Sequence, residues 1–307
     1  MASKEIEVLD PAATVEKLSS IATARALNRR NFMAALSMTG AAAGAALLSG
    51  CTSSTVAVST TTVAPGESDV LNFALNLEYL EATFYSYITQ GTDLPASSGA
   101  TANSGAITGA PAKLTFATQQ ITDQLNEIYF DELNHVIALR TLLASAAVPR
   151  PAINLAAAGT ISTAATALSV ARQFEDVGAT AYAGALTLLT SSSLNYAIQI
   201  LAVEGFHAGA LRLVSIQNSI AYSQADSLDV KPFDPGSAAT AAAGPTASGA
   251  FFATAGAASA SSSTPAGFAF TRTTSQVLQI LYGTPGVIGT TKGGFFPNGL
   301  NGLIAST

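Results

Sequence analysis

The chain has 307 residues, of which 49% are hydrophobic and only 10% are charged. This apolar fraction can fill a sizeable core, and no long run of charges predicts a disordered acidic or basic tail. The formal net charge is −6 and the chain carries no basic stripe, so nucleic acid is not an expected partner.

The first 51 residues predict an export signal. Arg29 and Arg30 lie in the run Asn-Arg-Arg-Asn-Phe-Met, which resembles a twin-arginine export motif. The apolar run over 34–48 that follows is short for a membrane span, which needs roughly 20 apolar residues. It leads into Leu-Ser-Gly-Cys, which ends at Cys51 and resembles a bacterial lipobox, in which the cysteine is lipidated. Cys51 is the only cysteine, so the chain cannot form an internal disulfide.

This signal predicts where the protein is located. We expect a twin-arginine signal peptide with a lipobox over 1–51, the twin-arginine translocase as partner, and lipidation of Cys51. The mature protein is then an exported periplasmic or cell-envelope lipoprotein, held at a membrane by its lipid. An uncleaved N-terminal anchor helix with a chance cysteine is the alternative.

After Cys51 the pattern changes from a flexible tether to a long helix. Residues 52–67 are rich in Thr, Ser and Val and predict the tether. From Ser68 apolar residues recur at three- and four-residue steps, which predicts a helix with Ser68 or Asp69 as its N-cap and an end near Gly91. Residues 92–112 are Gly, Ala, Ser, Thr and Pro and predict a loop or insertion.

The rest of the chain predicts three more long helices and a coil-rich extension. The helices are expected over about 114–145, 162–189 and 194–223, with the last two separated by Ser191-Ser192-Ser193. The link between the second and third helices could span roughly 50 Å at ~3.3 Å per residue, whereas a helix of 25 residues is only ~37 Å long. We therefore predict an all-α fold, a four-helix bundle over 68–223 with one long crossover. A Gly/Ala/Ser-rich extension over 224–307 should pack on it, with a short helix over 274–282.

The two histidines of the chain both belong to Glu-x-x-His tetrads. These tetrads are Glu132 to His135 and Glu204 to His207, and after each histidine the triplet Ala-Leu-Arg recurs with the same spacing. Residues i and i+3 share one face of a helix, so each tetrad directs a carboxylate and an imidazole the same way. Two such tetrads facing one another supply most of a two-metal site in a four-helix bundle.

The first and third helices should supply the remaining carboxylates. The candidates are Glu78 and Glu81 in the first helix and Glu175 and Asp176 in the third. Glu78 and Glu175 share a further feature, since each has a tyrosine seven residues later, on the same helix face: Tyr85 and Tyr182. The half-motif Glu-x6-Tyr followed by Glu-x-x-His therefore occurs twice, which indicates an internal duplication with pseudo-two-fold symmetry.

This ligand set predicts the kind of metal. Four carboxylates and two imidazoles suit iron or manganese better than the metals that prefer thiolates. Bridging carboxylates could hold two such ions ~3.5–4 Å apart, close enough to act on one small oxygen species. Burying four carboxylates without cations would cost a large amount of free energy, which also favours metal or several protonated acids.

The helices resemble the ferritin-like superfamily, and most closely the ferritin-like domain family that includes plant desiccation-related proteins. The residues that carry this likeness are Leu71-Asn72, the run Leu-Glu-Tyr-Leu-Glu-Ala-x-Phe-Tyr from Leu77, and, near the C-terminus, 274–278 and 293–297. The resemblance implies a ferritin-like bundle and assigns six metal ligands. They are Glu78, Glu132, His135, Glu175, Glu204 and His207.

Four neighbouring side chains have further expected roles. Glu81 is an alternative or additional ligand, less favoured than Glu78. Asp131 resembles a carboxylate that orients a histidine, but its counterpart in the second half is Val203. Tyr85 and Tyr182 are expected to be core aromatics with hydrogen-bonded hydroxyls, and a direct part in catalysis is the weaker interpretation.

Two functions are compatible with these residues. The first is oxidation of Fe(II) or reduction of O2 or peroxide at two iron ions, or alternatively two manganese ions. The second is a non-enzymatic envelope protein of the stress or desiccation-related kind, with a structural or vestigial metal site. The tether and the long extension would obstruct a closed ferritin shell, so we expect a monomer or a small oligomer.

Replacing both arginines of the signal, in Arg29→Lys/Arg30→Lys, should leave the precursor in the cytoplasm, because the export receptor reads the arginine pair itself. Cell fractionation with immunoblotting measures this. Cys51→Ser is the matched control, since it should be exported but released from membranes. Normal export of the double arginine variant would contradict the predicted signal.

Overall fold

The structure is a computed structural model that describes residues 65–220 and 271–307. The expected signal peptide, Cys51 and nearly all of the tether lie outside the described residues, as does the segment 221–270.

Four long helices form the body of the described chain, and a fifth short helix follows. They are α1 (Glu67–Gln90), α2 (Gln119–Leu143), α3 (Ala164–Ala185), α4 (Ser191–Gln217) and α5 (Thr274–Leu281). α1 packs along α2 and α3 along α4, and the two pairs meet through α1 with α3 and α2 with α4. The prediction of an all-α bundle with a short C-terminal helix is therefore confirmed.

α1 starts slightly earlier than expected and ends where predicted. Its N-cap is Gly66 rather than Ser68 or Asp69, and the Asp69 carboxylate accepts a hydrogen bond from the Gly66 N–H at 2.8 Å. Asp69 thus caps the helix from within its first turn, by accepting the hydrogen bond of the Gly66 N–H, which has no partner in the helix. The helix ends at Gly91, whose φ of 77° is left-handed and suits glycine.

Two other helix starts differ from the sequence prediction. α2 begins after Thr118, whose hydroxyl accepts from the Ile121 N–H at 3.2 Å, so the segment from Leu114 precedes the helix. α4 has Thr190 as its N-cap, and Ser191-Ser192-Ser193 form its first turn instead of lying before it. Serine is common both in the first turn of a helix and in the segment that precedes it. The three serines alone therefore could not show where α4 begins.

The link between α2 and α3 runs along the bundle. Near its start the Val148 N–H donates to Asn72 Oδ1 at 3.0 Å, beside the beginning of α1. After α3, the Thr190 N–H donates to Glu67 Oε1 at 2.7 Å, again beside the beginning of α1, so α3 is antiparallel to α1 and starts near the other end of α1. The link therefore passes from one end of α1 to the other, as the predicted long crossover requires.

A two-stranded parallel sheet ties this crossover to the insertion between α1 and α2. β1 (Ile107–Thr108) pairs with β2 (Ile153–Asn154), with Ile107 opposite Ile153. The sequence did not predict these strands, because two residues are too few to show an alternating pattern.

The bundle is built around α1, which is buried on all sides. Its apolar residues do not form one stripe, and polar ones such as Asn72 and Asn76 are buried with them. A helix that is apolar all round needs cover on every side. The C-terminal segment supplies part of that cover, since Asn76 donates to the Asn301 carbonyl at 2.8 Å. The same segment packs on α3, where the Phe295 ring lies edge-on to Phe174 at 5.1 Å.

Candidate metal centre

All six side chains predicted as metal ligands lie together, buried inside the bundle. α1 contributes one, α2 two, α3 one and α4 two. They are Glu78, Glu132, His135, Glu175, Glu204 and His207. They divide into two groups, each compact enough to surround one ion.

The first group is built around His135. Its Nδ1 lies 3.2 Å from Glu78 Oε2 and 3.2 Å from Glu132 Oε2. Glu204 Oε1 is 3.9 Å from the same nitrogen. Three carboxylates and one imidazole thus converge in this half of the cluster.

The second group is built around His207 and shares one member with the first. Its Nδ1 lies 3.0 Å from Glu175 Oε2 and 3.0 Å from Glu132 Oε1. Glu132 therefore turns one oxygen towards each histidine, whose ring centres are 6.4 Å apart. A carboxylate placed in this way has the geometry of a bridge between two cations.

Two tyrosines donate hydrogen bonds to the carboxylates of α1 and α3, and each tyrosine bonds the glutamate of the other helix. The Tyr85 hydroxyl of α1 donates to Glu175 Oε1 of α3 at 2.5 Å. The Tyr182 hydroxyl of α3 donates to Glu78 Oε1 of α1 at 2.5 Å. Because α1 and α3 are antiparallel, the Tyr seven residues after each Glu reaches the Glu of the other helix. The sequence predicted the shared face but not this exchange of partners.

Asp131 orients one histidine, and it is the histidine of the other half-motif. Asp131 Oδ2 lies 3.0 Å from His207 Nε2, which directs His207 Nδ1 towards the cluster. On the other side the corresponding position is Val203, which has no polar group to offer His135. The two groups are therefore chemically different.

Glu81 adds a further buried acid beside the cluster. Among the residues the structure describes, neither ligand group includes it, and its Oε2 has no hydrogen-bond partner. In the second half-motif the corresponding position is Gly178, three residues after Glu175. A Cβ at Gly178 would lie 2.2 Å from Glu204 Oε2 and 3.3 Å from Glu81 Oε1, so this glycine makes room for both carboxylates.

Asp176 and the arginines that end the two Ala-Leu-Arg triplets, Arg140 and Arg212, lie outside the ligand set. Arg212 donates to both Asp176 oxygens, at 2.9 and 2.8 Å, and Arg172 donates to the same carboxylate at 2.6 Å. Arg140 donates to the Tyr79 hydroxyl at 2.5 Å. These contacts are consistent with the prediction of Glu175 rather than Asp176 as a ligand, because both Asp176 oxygens accept hydrogen bonds from arginines.

The two histidines carry the positive charge of the metal-free cluster. Burial favours the neutral imidazole, but Glu78 and Glu132 raise the pKa of His135 to about 12. Glu175 and Glu132 likewise raise the pKa of His207 to about 12 against the effect of burial. Both rings are thus imidazolium at neutral pH when no other cation is present.

The carboxylates respond to burial and to these charges in different ways. Burial acts to raise the pKa of Glu132 too, but the two imidazolium rings beside it hold that pKa below its ordinary value. Burial raises the pKa of Glu78 to about 8, with His135 opposing the shift. Burial, and then neighbouring carboxylates, raise the pKa of Glu81 and Glu204 well above the usual range. The cluster therefore holds several protons that an incoming cation would displace.

The donor set fits hard divalent cations. Both Glu204 oxygens are buried without a hydrogen-bond partner among the described residues, although a buried carboxylate without partners is unfavourable. Oxygen and imidazole donors converge, and no thiolate lies among the described donors, so iron and manganese are better suited than softer metals. This agreement between the orphaned oxygens and the donor chemistry supports a metal site.

Comparison with known families agrees with the geometry. The ferritin-like domain family matches residues 66–217, which include α1 to α4 and all six clustered side chains. Over these residues the chain is similar to the ferritin-like domain family, and the bundle of four helices is consistent with that likeness. Comparison with curated proteins finds no matching sequence.

Among the described residues, one helix is long and apolar enough to cross a membrane by length and composition alone. It is the stretch Ser192–Gln217 of α4. The same helix carries Glu204 and His207 into the cluster, whereas other apolar side chains of the stretch, such as Phe206 and Leu213, are exposed.

The replacement Gly178→Ala should weaken metal binding, because the new methyl group would displace the Glu204 carboxylate. We expect affinity for Mn(II) to fall by about 10–100-fold, the usual effect of disturbing a ligand's surroundings. Isothermal titration calorimetry of the metal-free protein measures this. Gly205→Ala is the control, since a Cβ there has open space. Equal affinities in both variants would contradict the assigned role of Gly178.

Proposed function

We propose that the chain binds two metal ions, iron or alternatively manganese, and is an oxidoreductase that oxidises Fe(II) or reduces O2 or peroxide. The observation that carries this proposal is the position of Glu132. It offers Oε2 to the His135 group and Oε1 to the His207 group, 3.2 and 3.0 Å from the two Nδ1 atoms. When bound, two such ions would supply one electron each to the oxidant.

The surrounding residues support this chemistry by fixing the ligands. Tyr85 and Tyr182 hold one oxygen each of Glu175 and Glu78, which leaves the second oxygen facing a histidine. Burial and the adjacent carboxylates raise the pKa of both phenols well above the usual range, so they remain hydrogen-bond donors. We assign them a positioning role.

Two of the carboxyl groups can also hold protons. The raised pKa of Glu204, caused first by burial and then by Glu132, keeps this carboxyl protonated in the metal-free protein. Glu81 is protonated for the same reasons and lies beside Glu204 across Gly178. Reduction of O2 consumes protons. Glu81 is placed to supply one, and because it belongs to neither ligand group, no ligand would be lost.

We further propose that the protein is an exported lipoprotein of the periplasm or cell envelope. The supporting observation is the order of the arginine pair, the apolar run and Cys51, followed by the matched domain from residue 66. Export by the twin-arginine route suits a domain whose metals are inserted before it leaves the cytoplasm. A monomer or small oligomer fits, since the C-terminal segment covers part of α1 and α3.

Metal content after replacement of the shared ligand tests the proposal. The wild-type domain, loaded anaerobically with Fe(II) and desalted, should retain about two equivalents of iron. Glu132→Ala should lose most of both, because it removes a donor from each group. Glu127→Ala is the control, since it deletes an exposed carboxylate of the same helix. Elemental analysis counts the iron, and stopped-flow absorbance then follows its oxidation by O2.

The outcomes separate the candidate functions. Two retained equivalents and rapid oxidation, both lost in Glu132→Ala but not in Glu127→Ala, support the oxidoreductase. Retained metal without oxidation would instead support a structural site in a non-enzymatic stress or desiccation-related protein. Equal iron content in Glu132→Ala and wild type would contradict the assignment of a shared ligand.

A further inference from the structure

A small apolar pocket lies where α5 and the C-terminal segment cover α1 and α3. Its volume is about 20 Å³. Its buried walls are apolar side chains from α1, α3, α5 and the C-terminal coil: Leu77, Leu80, Phe174, Val177, Leu281 and Phe295. Gln173 and Ile280 are the half-buried residues of the lining and mark its outer end.

The inner end of the pocket is the Glu81 side chain. Glu81 is only 4% exposed, and its Oε2 has no hydrogen-bond partner among the described residues. On the far side, Glu81 Oε1 and Glu204 Oε2 both lie against the open face of Gly178. Glu204 in turn is 3.9 Å from His135 Nδ1. Glu81 therefore stands between the pocket and the candidate metal centre.

The size and polarity of the pocket restrict what it can hold. A cavity needs roughly 10–15 Å³ to hold one water, and that water needs two to four polar partners. This pocket has room for one small molecule, but Glu81 and Gln173 are its only polar residues. An apolar diatomic molecule loses no hydrogen bonds on entry and gains dispersion contacts with the walls. An organic substrate would be too large.

We propose that this pocket binds dioxygen beside Glu81, next to the candidate metal centre. The inference rests on the proposed function and identifies O2, rather than the more polar peroxide, as the oxidant of that site.

Paramagnetic relaxation in the metal-free protein tests the pocket directly. Dissolved O2 has unpaired electrons, so methyl groups beside a binding site relax faster under oxygen pressure than under nitrogen. In methyl-labelled protein, the enhancement at Leu80, Val177 and Leu281 should be at least about twofold larger than at fully buried Leu125 and Ile128 of α2, which do not line the pocket.

A variant that fills the outer end provides the matched comparison. Ile280→Trp should remove this excess relaxation, whereas Ile288→Trp, at an exposed position of the same segment, should leave it unchanged. Val177→Ile narrows the pocket with a single added methylene and should at least halve the excess if the tryptophan variant does not fold.

Two results would overturn the proposal. One is a relaxation enhancement at the pocket methyls no larger than at Leu125 and Ile128. The other is an excess that persists in a folded Ile280→Trp or Val177→Ile variant. Both measurements use protein without metal, so either failure leaves the metal-binding proposal standing. Loss of metal binding in the earlier test would conversely leave the pocket result intact.

Discussion

The burial of a cluster of acids inside an apolar bundle is the constraint on which the rest of this structure depends. Five glutamates lie in the core with only two histidines to oppose their charge: Glu78, Glu81, Glu132, Glu175 and Glu204. Such a core is tolerable only if protons or cations neutralise it. Without metal, the raised pKa values of the histidines and of most of the carboxyl groups supply that neutralisation. With metal, the same donors become ligands, so one arrangement serves folding and chemistry.

Much of the site could be predicted because the same residue spacings occur in both halves of the bundle. The two Glu-x-x-His tetrads and the two Glu-x6-Tyr pairs each repeat along a helix, where sequence distance fixes direction. Contacts between helices carry no such local signal. The exchange of partners between Tyr85 and Tyr182, and the reach of Asp131 to His207 instead of nearby His135, depend on how the helices are placed side by side. The sequence shows that Gly178 occupies the position in the second half-motif that Glu81 occupies in the first. It does not show that this glycine leaves space for the Glu81 and Glu204 carboxylates.

The fold shows the same division between local and non-local information. Helix periodicity predicted all five described helices, whereas the ends were set by capping contacts that several neighbouring residues could have made, as at Gly66 and Thr118. The parallel pairing of Ile107 with Ile153 joins segments 46 positions apart and has no local pattern. The departures from two-fold symmetry, Asp131 against Val203 and Glu81 against Gly178, both make the half around His135 differ from the half around His207. This inequality gives the two histidines of the cluster different surroundings.

Anomalous X-ray diffraction from crystals loaded with Fe(II) or Mn(II) tests the central claim, that Glu132 is shared between two metal positions, most directly. Data collected at the absorption edge of the metal locate each ion independently of the protein atoms. The structure predicts two peaks roughly 3.5–4 Å apart, one beside each oxygen of Glu132 and each within bonding distance of one histidine Nδ1. A single peak, or peaks that leave Glu132 without a bound metal, would contradict it.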